Sequence, residues 1–149
     1  MIRKMDVTLE IDGQEKVHKN LNASQIHDVF NTIDWKAQYQ LCLTNEDYFG
    51  PYFLVTYFDE ANLEYNYSVE FYFVEDDEGQ FPKEMIFSLS YSYQERVIEK
   101  FFFGLFGEKE KIQIAIFFKD EQSLQDALDC LNAFSRMDTS YLEKHINDK

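Results

Sequence analysis

A chain of 149 residues fits one domain, and at that length roughly 68–70% of the unfolded surface can be buried, so a core needs no staples. Twenty-eight acids against 14 bases leave a net charge of −14 on a chain that is 45% hydrophobic and 17% aromatic, which excludes a disordered polyanion. The same charge argues against nucleic acid or an anionic membrane as a direct partner, because phosphates need Lys and Arg.

Met5, Val7, Leu9 and Ile11 alternate with polar residues and predict a half-buried strand. Asp12-Gly13 predicts a hairpin turn, because Gly accepts positive φ, and Glu15–Leu21 is the returning edge strand. Asn22 or Ser24 caps a helix, with Gln25 completing a capping box, and Ile26, Val29, Phe30 and Ile33 form its apolar stripe. Trp35 lies just past that helix, placed to lock it onto the sheet. Tyr39, Leu41 and Leu43 alternate with polar neighbours and predict a strand. Tyr52–Phe58 is apolar nearly throughout, so coverage on both faces is expected. Leu63–Val74 is the longest strand signal, with Leu63, Tyr65, Tyr67, Val69, Phe71 and Phe73 on one face and Glu64, Asn66, Ser68 and Glu70 on the other.

Met85–Tyr93 reads as another strand with a small, polar outer face. Val97, Ile98, Phe101, Phe102 and Leu105 have helical spacing, with Gly107 as the stop, so a helix is favoured over Gln94–Leu105, although the Phe101-Phe102-Phe103 run equally fits a strand. Ile112, Ile114 and Ile116 predict a strand that ends in Phe117-Phe118. Asp120 is the expected cap of a helix running to about Arg136, and Ser140 with Glu143 that of a last short one. Strands thus follow one another instead of alternating with helices. The expected class is α+β, a single domain over residues 1–149, with a largely antiparallel sheet of about six to seven strands and helices packed on one face.

Catalytic signatures are lacking. His18, His27 and His145 are scattered and none pairs at i, i+4, so neither a zinc site nor another cofactor is expected. Neither a nucleophile elbow nor a phosphate-binding glycine motif is present, and there are only five glycines. Glu75-Asp76-Asp77-Glu78-Gly79 lacks the spacing of a calcium loop and reads as a solvated hairpin loop. Cys42 and Cys130 do not make a disulfide framework, and Met1–Asp6 has no apolar run behind its bases. A reduced, cytoplasmic, non-enzymatic protein is therefore expected.

Residues 37–82 contain no Lys, Arg or His, but ten acids and thirteen Tyr or Phe. Tyr brings rigid area with a polar tip, and carboxylates accept from Arg and Lys, so the mixture suits capture of a basic protein. The expected partner-binding residues are Asp59, Glu60, Glu64, Glu70 and Tyr72, together with Glu75, Asp76, Asp77 and Glu78.

In layout and charge, the helix Ala23–Ile33, the Tyr39–Leu43 strand, the Tyr52–Val74 meander and Val97–Gly107 with its Phe-Phe-Phe-Gly together resemble the immunity proteins of bacterial toxin–immunity systems, including contact-dependent growth inhibition. The resemblance carries over no individual residue. It implies a cytoplasmic protein that binds a cognate toxin domain one to one, as an inhibitor. Two other classes fit the composition: a phage-type DNA mimic that blocks a nucleic-acid enzyme, and a small-molecule-binding α+β domain. A mimic needs carboxylates spaced like phosphates, and a small-molecule binder needs a sizeable apolar pocket.

Overall fold

The computed structural model describes residues 3–100 and 104–147. Strands β1 (Met5–Ile11) and β2 (Gln14–Leu21) form a hairpin. Its turn holds Asp12 at φ 55° and Gly13 at φ 73°, the conformation an Asp-Gly pair adopts at least cost. Helix α1 (Ala23–Asn31) starts at the expected capping box: the Asn22 side chain accepts from the Gln25 amide at 2.9 Å, and Gln25 Oε1 accepts from the Asn22 amide at 2.9 Å. Helix α2 (Trp35–Thr44) follows, then strands β3 (Tyr52–Phe58), β4 (Glu64–Phe71), β5 (Phe87–Lys100) and β6 (Glu108–Gln122). Helices α3 (Leu124–Ser135) and α4 (Thr139–His145) complete the described chain.

The fold is α+β, with six strands in the order β2-β1-β3-β4-β5-β6 and every neighbouring pair antiparallel. Register places Val7, Val55, Tyr67, Tyr91 and Phe117 side by side on one face. That face carries the core, and α1, α2, α3 and α4 contribute Phe30, Trp35, Leu131 and Leu142 to it. Trp35 is the seam: its ring lies 5.4 Å from Phe30, 5.5 Å from Phe71 and 5.2 Å from Phe87, the last two edge-on.

Several expectations need correction. Residues 39–43 are helical. Asp34 caps α2 by accepting from the Ala37 amide at 3.1 Å, and Trp35, Tyr39 and Cys42 recur at i, i+4, i+7 as its buried stripe. Leu41 and Leu43 are exposed, so the apparent alternation had only one buried member. The second chain reversal also differs: Ser123, not Asp120, caps α3, in a capping box with Asp126. Asp138, not Ser140, caps α4. Strand β3 is covered on one face only, with Phe53 and Val55 buried and Leu54 and Thr56 half-buried.

Residues 94–100 continue β5 as strand, and Phe101–Phe103 lie outside the described residues. Charge explains the strand. The register opposes Arg96 to Ile112, Glu99 to Lys109 and Lys100 to Glu108, and ion pairs join Arg96 to Glu110, Lys100 to Glu108 and Glu99 to Lys111. A helix over the same residues would forgo these cross-strand pairs.

Two buried tyrosines test the core. Tyr67 donates to the Ala127 carbonyl at 2.7 Å, whereas the buried Tyr91 hydroxyl has no hydrogen-bond partner among the described residues. Tyr67→Phe should cost about 1 kcal/mol, the net worth of the buried hydrogen bond it removes. Tyr91→Phe should be neutral or slightly stabilising, since it removes a polar group that is already unsatisfied. Urea midpoints at constant slope measure both.

Candidate functional site: the acidic end of the sheet

The helices cover one face, so β4 presents Glu64, Asn66, Ser68 and Glu70 on the other. β5 adds Ser88, Ser90 and Ser92 beside them. Glu64 and Glu70 are six residues apart along one strand, roughly 20 Å at the rise of extended backbone. They therefore belong to different ends of the sheet.

The structure divides the expected site between those ends. Asp59 and Glu60 form the β3–β4 turn beside Glu64. There Asp59 Oδ1 accepts from the Leu63 amide at 2.9 Å and Glu64 Oε1 from the Asn66 side chain at 3.0 Å. Arg96 donates to the Ala61 carbonyl at 3.2 Å, which brings a cation to this turn. Asp59, Glu60 and Glu64 are thus not brought together with the other acids.

Glu70, Tyr72 and Glu75–Glu78 lie at the opposite end, where three connections meet: the β1–β2 hairpin, the α2–β3 loop and the β4–β5 loop. Segments 10–16, 45–52, 70–86 and 119–122 hold thirteen acids and three bases (Lys16, Lys83 and Lys119). This end thus carries net −10 of the −14. The ion pairs among the described residues are Lys19–Asp6, Arg96–Glu110, Lys100–Glu108 and Lys111–Glu99, and none uses any of the thirteen.

Across the uncovered face, register aligns Glu15 with Glu10 and Glu10 with Tyr52. Glu70 lies one step beyond the Phe53–Val69 pair and opposite Ser88, whose hydroxyl donates to Asp120 Oδ1 at 2.5 Å. Burial first, and then the neighbouring Asp120 carboxylate, push the Glu70 carboxyl above its ordinary range. Sequence reading missed Glu10, Glu15 and Asp120. Glu10 and Glu15 lay on the expected hairpin, but the pairing of β1 with β3 that sets Glu10 beside Tyr52 leaves no local signal, and Asp120 had the pattern of a helix cap.

The loops themselves are ordered by local hydrogen bonds. Asp76 Oδ1 accepts from the Glu78 and Gln80 amides at 2.9 Å each, so this carboxylate shapes its own turn while Glu75, Asp77 and Glu78 face solvent. Gly50 at φ 89° lets the α2–β3 loop pass over Phe71, where an added Cβ would come within 2.4 Å of the ring. Beside it opens a cleft of about 670 Å3, walled by Tyr48, Phe49, Phe73 and Phe81 and rimmed by Glu46 and Glu75. The Tyr48 hydroxyl donates to Gln38 Oε1, and burial, with the nearby Asp12 charge, raises it to about 12. Tyr48 is thus a fixed neutral donor. The Phe73 and Phe81 rings meet edge-on at 5.5 Å. Among the described residues, no group of three or more His, Cys, Asp or Glu is arranged to hold a metal ion.

No family model, curated protein or solved structure matches the chain. No helix of the described residues is long and apolar enough to cross a membrane.

The Glu70 environment has a sign that can be measured. A carboxyl raised in the fold is penalised only when ionised, so the penalty is absent at acid pH and grows as pH rises through the folded value. Glu70→Gln should therefore raise the urea midpoint at pH 7, and the gain should shrink toward pH 4. Partial exposure keeps the effect below that of a buried pair.

Proposed function

We propose that the chain captures a basic protein at this acidic end and neutralises it, as an immunity protein neutralises its toxin. What carries the reading is the gathering of thirteen acids and three bases on meeting loops and the adjoining strand ends, with no ion pair to any of those acids among the described residues. Such like charges repel one another and destabilise the fold slightly, a cost that a cationic partner relieves. The aromatic cleft supports the same reading. Ring faces beside Glu46 and Glu75 suit a guanidinium or ammonium, which aromatic walls attract and carboxylates neutralise. Long-range attraction would speed encounter, and burial of the rings would slow release.

The inhibitor reading makes the partner a toxin domain whose substrate is a polyanion, because such a domain is itself basic. The acids would then occupy the cleft that binds nucleic acid. The test is to read the open reading frame just upstream of this gene and, where it encodes a toxin C-terminal domain, to coexpress the two; a metabolic operon there overturns the reading. One-to-one copurification and restored growth are expected. Glu70→Lys, Glu75→Lys and Asp77→Lys together should weaken binding on the order of 100-fold at low salt, and less at high salt. Glu64→Lys, at the other end, should change affinity little. If the neighbouring toxin domain fails to bind, or binds the triple variant as tightly as the parent, the reading fails.

A further inference from the structure

The β5–β6 arm differs from the rest of the molecule. Residues 94–118 hold four bases and four acids in a chain of net −14. Three of the four ion pairs among the described residues lie within it. β6 is the last strand of the sheet, so one side of its backbone has no strand partner among the described residues. On the face away from the helices it presents Ile112, Ile114, Ile116 and Phe118, which are 56, 59, 66 and 52% exposed. Charges flank this stretch at Lys109–Lys111 and Lys119–Glu121, yet Ile112–Phe118 contains none. A long edge strand with an apolar, uncharged middle is a template for strand addition.

We propose that β6 pairs antiparallel with β6 of a second copy, joining two sheets into one across a twofold axis. The occupant follows from charge. A basic partner gains nothing from an arm whose charges already cancel, whereas a second copy brings an equally neutral, apolar edge. The strand is also self-complementary in one register. With Ile116 on the axis, Ile114 faces Phe118, Ala115 faces Phe117 and Gln113 faces Lys119, with no like charges directly opposed ahead of the β-bulge between Lys119 and Gln122. Centring on Ala115 instead would oppose Lys111 to Lys119 and Glu110 to Asp120. Opposite residues across an antiparallel pair share a face, so the exposed Ile and Phe side chains would form one continuous apolar strip.

The two associations respond oppositely to salt. Two bodies of net −14 repel, so screening should promote the dimer, while the same screening weakens capture of a basic protein. Sedimentation velocity of the full chain should show a dimer fraction that rises from about 0.05 M to about 1 M NaCl. Ile114→Lys with Ile116→Lys should give monomer throughout with an unchanged urea midpoint, since both side chains are already exposed. Ile116→Cys should form a disulfide-linked dimer in oxidised glutathione, because facing residues of an antiparallel pair have Cα atoms about 4.5–5.5 Å apart, within disulfide reach. Phe49→Cys, equally exposed but remote from β6, should not; Cys42 and Cys130 are buried and do not interfere. Monomer at every salt concentration, or no preference of Ile116→Cys over Phe49→Cys for crosslinking, overturns the proposal.

Discussion

The aromatic seam around Trp35 decides which side of the sheet is available for anything else. One indole contacts Phe30 of α1, Phe71 of β4 and Phe87 of β5, and so joins the first two helices to the centre of the sheet. Tyr39 extends the seam, stacked at 5.9 Å on Phe73 and donating to the Pro82 carbonyl at 2.6 Å. On the C-terminal side Tyr67 and Phe134 stack at 5.9 Å, holding α3 on the same face. Every helix is thereby committed to one side. The opposite face keeps its small hydroxyl floor of Ser68, Ser88, Ser90 and Ser92, and the connections at one sheet end stay uncovered.

Charge is then sorted by the same architecture. At the acidic end, thirteen acids on loops and strand ends outnumber three lysines, and none of them forms an ion pair among the described residues. In the β5–β6 arm, opposite charges alternate along two paired strands, so cross-strand neighbours neutralise one another. The composition total of −14 conceals this division, on which both proposed associations rest.

The class, the capped first helix, the Asp-Gly hairpin and the in-register core of β4 were legible because each rests on local chemistry or a strict period. The α2 error arose where period two and period 3.6 share members. Tyr39 belongs to both patterns, and only the Asp34 cap and the burial of Trp35 and Cys42 separate them. Residues 94–100 misled for the converse reason: Val97 and Ile98 have helical spacing to the Phe run, and the mark of a strand lies in charges on a partner eight to fourteen residues away. The candidate surface was half legible. Glu70, Tyr72 and the 75–78 loop were found because they are contiguous, but an acidic row built across strands has no signature along the chain.

The aromatic excess of residues 37–82 has a different meaning once the fold is known. Tyr39, Phe53, Tyr67 and Phe71 are buried core, and Tyr48, Tyr57, Tyr65 and Phe73 pack partly buried against it, so most of that richness supports the fold. Exposed at the acidic end are Phe49 on its loop and Phe81 after the 75–78 turn, with Tyr48 and Phe73 behind them; Phe58, also exposed, lies at the opposite end. Exposing Phe49 beside carboxylates is unfavourable for an isolated molecule, because the ring is left in water and the acids lack counter-ions. Both penalties are removed by one event, the arrival of a cation carried on an apolar stem. A lysine or arginine side chain has that form, and the ring and the charge therefore point to the same ligand chemistry from independent terms of the free energy.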